Sequence, residues 1–212
     1  MSNVIVLIAD LKSSRELDEV QRAEIQQRLT SVLKELNSYN PSLLSPHTIT
    51  LGDEFQAVYS NADGLFAVAW RVLEELYPIS VRFSWAIGSL NTPINRKQAL
   101  GMDGPAFHQA RAHIEAMKKD AGLFMISTEE GNAPIKLANS SLRLISDQLR
   151  SWSQNRFSIL SRLVREQKVS DIADELDLSE VAVYKNRKAG SLPVILDLAQ
   201  HIETIMNERL EL

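Results

Sequence analysis

Apolar residues run unbroken from Val4 to Ile8 and are closed by Ala9-Asp10, a β-branched and aliphatic pattern that predicts a strand buried on both faces. From Ser14 to Leu36 the apolar positions Leu17, Val20, Ile25, Leu29, Val32, Leu33 and Leu36 approach helical spacing, with Ser13 or Ser14 as N-cap and residues 37–46 as breaker. Thr48 to Leu51 and Glu54 to Tyr59 flank Gly52-Asp53 and predict a hairpin. A second helix, capped by Asn61 or Asp63, runs to about Leu76 and stops before Pro78; Val81 to Gly88 alternates as a fourth strand. Pro105 to Asp120 is helical, with Gly122 as its C′ residue, and Leu123 to Ser127 is a fifth strand. The order β-α-β-β-α-β-α-β contains the ferredoxin-like split unit with one helix and one strand added. An α+β domain is therefore expected over residues 1–130.

Helical patterns take over afterwards. Ala133 to Trp152 predicts a helical connector within residues 131–155, and residues 156–212 predict an all-α unit. There, Phe157 to Arg165 and Ser170 to Leu176 precede a turn at Asp177-Leu178-Ser179 and a helix from Glu180 to Lys188. This is a helix-turn-helix pattern, with Ile172, Ala173, Leu176, Leu178, Val181 and Val183 where the two helices touch and Ser179 as N-cap. Glu180, Ala182, Tyr184, Lys185, Asn186 and Lys188 fall on or near the outer surface of the second helix, side chains suited to base edges and phosphates. Such three-helix units also serve as protein-interaction elements. Leu192 to Leu212 predicts a last amphipathic helix, a packing or dimer surface without the basic polar face of a membrane helix.

Charge separates the two parts. The 212 residues carry 23 Lys+Arg and 27 Asp+Glu, a net charge of −4. Residues 150–191 hold eight basic and six acidic side chains, so a locally positive segment follows an acidic body. The absence of cysteine excludes disulfides, thiolate metal sites and cysteine nucleophiles. No apolar run approaches the roughly 20 residues of a membrane span, and a cytoplasmic protein is expected.

Two carboxylates stand out by position. Asp10 closes the first strand and Asp53 sits in the hairpin turn; in a split βαββαβ sheet the two face each other at one edge. They could grip a divalent cation, Mg²⁺ or Mn²⁺, completed by waters, phosphate oxygens and a backbone carbonyl near Leu11. Alternatively, Asp10 caps the following turn and Asp53 shapes the turn beside Gly52.

The segments Ile8-Ala9-Asp10, Thr50-Leu51-Gly52-Asp53-Glu54-Phe55, Ala86-Ile87-Gly88 and Asp103-Gly104-Pro105-Ala106-Phe107-His108-Gln109-Ala110-Arg111 resemble the SatD family of bacterial proteins. More remotely they are similar to class III nucleotide cyclases and GGDEF-type diguanylate cyclases. That resemblance implies a nucleotide-cyclase-like domain with Asp10 and Asp53 as metal ligands. It makes Glu54 the acidic third position of the turn and Arg111 the arginine that steadies phosphate charge, hence the catalytic residue of an enzyme. His108 and Asp103 lie beside the implied nucleotide site, though His108 could equally pack or cap, Asp103 begins a turn, and Arg111 could pair with Glu115. Phe107, Ile49 and Leu51 stand where the cyclase motifs have asparagine, lysine and glycine.

These departures touch catalysis more than binding. The expected function is a DNA-binding transcriptional regulator whose cyclase-like domain binds a purine nucleotide and divalent metal without turnover. The alternatives are a Mg²⁺- or Mn²⁺-dependent cyclase or phosphotransferase and a non-catalytic dimeric scaffold. The cyclase resemblance implies a homodimer.

Overall fold

A computed structural model describes residues 3–12, 17–50, 52–120, 122–129 and 132–211. Its described residues form five strands and eight helices in a mixed α+β arrangement. The sheet runs β2-β3-β1-β4-β5, with β1 (Val4–Leu11) at its centre, antiparallel to both β3 (Glu54–Tyr59) and β4 (Val81–Gly88). β5 (Phe124–Thr128) adds to β4 in parallel. The first four strands thus take the order of the split unit.

β2 (Leu43–Ile49) starts inside the stretch expected to be a breaker. It is an edge strand with two register shifts against β3, and an edge is where Pro46, lacking a backbone donor, is tolerated. Thr50 donates its backbone N–H to the Glu54 carbonyl, and Gly52 supplies the left-handed φ of 79° in the turn. Leu51 lies outside the described residues.

Every residue of β1 is buried because both faces of the sheet are covered. Ile5, Leu7, Ala9 and Leu11 point to the face packed by α1 (Glu19–Asn37) and α2 (Leu65–Leu76); Val4, Val6 and Ile8 point to α3 (Pro105–Lys119). The first face carries an aromatic cluster of Phe66, Trp70, Phe83, Trp85 and Phe124, in which the Trp85 and Phe124 rings stack at 5.9 Å. Burying each such ring contributes about 2–3 kcal/mol.

Helix ends differ from the sequence expectation. Ser13 and Ser14 lie outside the described residues; α1 is capped by Asp18, which forms a reciprocal box with Gln21, and Val20 is exposed. α2 is capped by neither Asn61 nor Asp63, because its orphan amides are met from another helix. Glu203 of α8 (Leu192–Leu210) accepts the Phe66 N–H at 2.9 Å, and Asn207 accepts that of Ala62, in the loop before the helix, at 2.6 Å. α3 ends at Asp120 in extended conformation, so Gly122 has no left-handed role.

The C-terminal helices share the sheet's core. A buried cluster runs from Ile5 to Met206. α4 (Ala133–Leu149), in the segment expected to connect, lies on β5 and buries Ile135, Ala138, Leu142, Ile145 and Leu149. α8 touches β4 and α4. α5 (Gln154–Leu163), α6 (Val169–Glu175) and α7 (Glu180–Ala189) pack around Ile172, Ala173 and Val183. Asp177 takes the left-handed φ of 52° that turns α6 into α7, while Leu178 donates to the Ala173 carbonyl. Val181, expected in the helix contact, is 61% exposed. Two residues from Val183, it lies across the helix, and both cannot face inward.

Candidate functional site

Strand alternation puts Asp10, Glu54 and Arg82 on the α3 face, and the register sets them level: Asp10 is opposite Glu54 on one side and Arg82 on the other. All three are over nine-tenths buried, so each charge must find a partner. Arg82 donates from Nη1 to Asp10 Oδ2 at 2.7 Å. Arg111 of α3 clasps Glu54 with both terminal nitrogens, Nη2 reaching Oε1 at 2.7 Å, and Thr50 Oγ1 donates to the same oxygen at 2.9 Å. The result is a row of two acids and two arginines at one end of the sheet.

Burial pushes the Asp10 carboxyl up, against the pull of Lys118 and Arg82, and the charge of Asp53 adds to the rise. The hydrogen bonds to Glu54 hold the Arg111 guanidinium above its ordinary range. Asp53 is tied to the end of β1 through its carbonyl, which accepts the Leu11 N–H at 2.9 Å; the Leu11 side chain belongs to the opposite core.

The structure thus brings Asp10, Leu11, Asp53, Glu54 and Arg111 together. Asp103 and His108 pair with each other at 2.7 Å, both largely exposed, at the start of α3. Their segment has a packing reason: Gly104, at φ 155°, would place a Cβ 2.7 Å from Leu90 Cα. Phe107 and Ile49, at the positions departing from the cyclase pattern, pack in or against the core. The residues missed from sequence are Arg82, Lys118 and Thr50. Arg82 carried a readable signal, since a charged residue inside an apolar strand beside an acid-ended strand demands a buried partner.

Among the described residues, no group of three His, Asp or Glu side chains forms a metal cage. Both buried carboxylates at this sheet end are engaged, Glu54 by Arg111 and Asp10 by Arg82.

The second candidate surface is α7. Ser179 Oγ accepts the Ala182 N–H at 3.2 Å, and Glu180, Tyr184, Lys185 and Lys188 are exposed. Arg187 stacks on Tyr184, with 5.6 Å from its guanidinium carbon to the ring centroid. Ala182 and Asn186 are half-buried, and the Asn186 amide is turned back onto the Ala182 carbonyl at 3.0 Å.

Fold and site define a mixed α+β protein whose sheet ends in a buried acid–arginine row and whose C-terminal helices share its core. The SatD family model matches residues 4–206, and the chain belongs to the SatD family. No curated protein matches it. Among solved structures it is similar to one described as a bacterial light-regulated adenylyl cyclase, with 16% identity and a TM-score of 0.44 over 59% of this chain. The match spans 43% of that protein's length. No helix among the described residues is long and apolar enough to cross a membrane.

Proposed function

We propose that this protein is a DNA-binding transcriptional regulator in which α5–α7 act as a helix-turn-helix and α7 enters the major groove. The observation that carries this is the outer face of α7, where Val181, Tyr184, Lys185 and Lys188 stand exposed along one side from the first turn to the last, while Ser179 caps the helix and Val183 anchors it. Lys185 and Lys188 meet phosphates, and the first turn meets base edges. Asn186, turned onto its own helix, is the weakest member of the expected contact set.

Binding of the protein to its own upstream duplex DNA, measured across salt concentrations, tests this reading. Affinity is expected to fall steeply with salt, and Lys185→Ala and Lys188→Ala each to reduce the log–log slope by about 1. A salt-insensitive or absent complex would refute it. Light scattering tests the accompanying proposal of a homodimer presenting two α7 helices.

A second reading adds a purine nucleotide with Mg²⁺ or Mn²⁺ at the sheet end, bound without turnover. It is supported by the place of Asp10 at the end of β1, beside the turn whose Asp53 carbonyl accepts the Leu11 N–H, and by Arg82 Nε, buried without an acceptor. The Arg111–Glu54 clasp weighs against catalysis, and a phosphate held here would have to displace Glu54 from Arg111 or be met by other groups. Calorimetry with nucleoside triphosphates and Mg²⁺, comparing wild type with Asp10→Ala, tests it. Metal-dependent turnover abolished by Asp53→Asn would instead establish an enzyme.

A further inference from the structure

Between the sheet body and α5 lies an apolar cavity of about 290 Å³. Leu36 of α1, Tyr39 and Pro41 of the following loop, Ala67 and Val68 of α2, and Val164 after α5 line it, and the Asp63 carboxylate, which accepts from the Asn207 amide at 2.7 Å, stands at its wall. A polar cleft of about 310 Å³ adjoins it, and Arg71, Ser161 and Arg165 belong to the walls of both. Ser161 is 94% buried, at 6% relative exposure, and its hydroxyl makes no hydrogen bond. An orphan hydroxyl in such a wall costs about 1–3 kcal/mol unless something meets it.

The two arginines differ. Arg71 is saturated, with Glu35 and Glu75 each at 2.9 Å. Arg165 reaches Glu35 only at 3.5 Å, on a carboxylate Arg71 already holds, and it also approaches the Tyr39 hydroxyl. Arg165 is therefore the less fully engaged of the two guanidiniums at the mouth of an apolar space.

We propose that this cavity binds a small organic monocarboxylic acid. Its apolar body fills the space between Leu36, Pro41, Ala67 and Val68; its carboxylate lies on Arg165, with Ser161 as a second donor. The volume sits at the lower end of the roughly 300–1,000 Å³ range of small-molecule sites, which suits a single ring or short chain rather than a nucleotide. Because α1, α2 and α5 all form its walls, the acid bridges the sheet and the helices that carry α7. The proposal does not depend on what α7 contacts.

Ligand-observed ¹⁹F NMR on the full chain tests it, with 4-fluorophenylacetate and 6-fluorohexanoate as probes and 4-fluorophenylacetamide as the neutral control. At least one acid is expected to bind. The amide, and the acid with Arg165→Gln, should each bind roughly tenfold more weakly, the loss of one charged hydrogen bond. Ala67→Trp, which fills the cavity, should abolish binding; Val164→Trp serves if that variant does not fold. Binding of neither acid, equal binding of acid and amide, or undiminished binding in the filled variant overturns the proposal.

Discussion

Glu203 on the last helix accepts the backbone N–H of Phe66 in the first turn of α2, 137 residues earlier in the chain. One side chain thereby does the work of a local N-cap and fastens the C-terminal helices to the sheet. Burial pushes its carboxyl up to about 7 from an ordinary 4.5. A raised pKa in the folded state means that its stability contribution is complete below about pH 4.5 and is lost as pH rises through about 7. The expected loss is about 3 kcal/mol. Urea unfolding at pH 5 and pH 8 should show it in the wild type, and Glu203→Gln, which cannot ionise, should flatten the difference.

His47 provides the opposite dependence. Its ring lies between Asn37 Oδ1 at 2.6 Å and the Tyr59 hydroxyl at 2.5 Å, and burial lowers its pKa from 6.5 to about 3. The depressed value means stability present above about pH 6.5 and lost as pH falls toward 3, up to about 5 kcal/mol. The His47 imidazole signals should hold their neutral shifts down to pH 5. Movement of the His47 signals near pH 6 would contradict the burial.

Gly104→Ala should cost about 3 kcal/mol or more, because its Cβ would meet Leu90 Cα and Ser89 O at 2.7 and 2.8 Å, backbone atoms with little room to yield. Thermal unfolding measures it. A shift of less than one degree would show that the segment before α3 relaxes freely.

Arg111→Ala leaves Glu54 buried without its clasp. Full burial would put the cost near 3–5 kcal/mol, but Arg111 is itself 42% exposed and water can enter, so about 2 kcal/mol is expected. Adding Glu54→Gln should recover most of that. Unfolding of the single and double variants gives the coupling directly.

Periodicity made β1, β3 and β4 legible, because strands covered on two faces leave little polar ambiguity, and β5 through its alternating buried Phe124 and Ile126. Of β2 only the end was legible, Thr48 and Ile49 in the hairpin, since Ser45, Pro46 and His47 belong to an irregular edge whose pairing partner, not its propensity, makes it a strand. The α2 cap was invisible for a similar reason: Glu203 comes from the far end of the chain. At the sheet end, Asp10 and Asp53 could be named from position, but the Arg82–Asp10 and Arg111–Glu54 pairs depend on register across strands and onto a helix. On α7, Val181 was misplaced because an apolar residue reads as core wherever it falls, although Val183 already defines the inner side.

The level alignment of Glu54, Asp10 and Arg82 has a consequence for how the sheet assembles. A slip of β1 by one residue against its neighbours would exchange its faces, sending Asp10 among Phe55, Phe83 and Trp85 and stranding Arg82 and Glu54 opposite aliphatic groups. An unpaired charge in that place costs several kcal/mol, so off-register pairings are rejected as the strands zip. The same charges that make the sheet end a candidate binding site therefore also keep the central strand in frame.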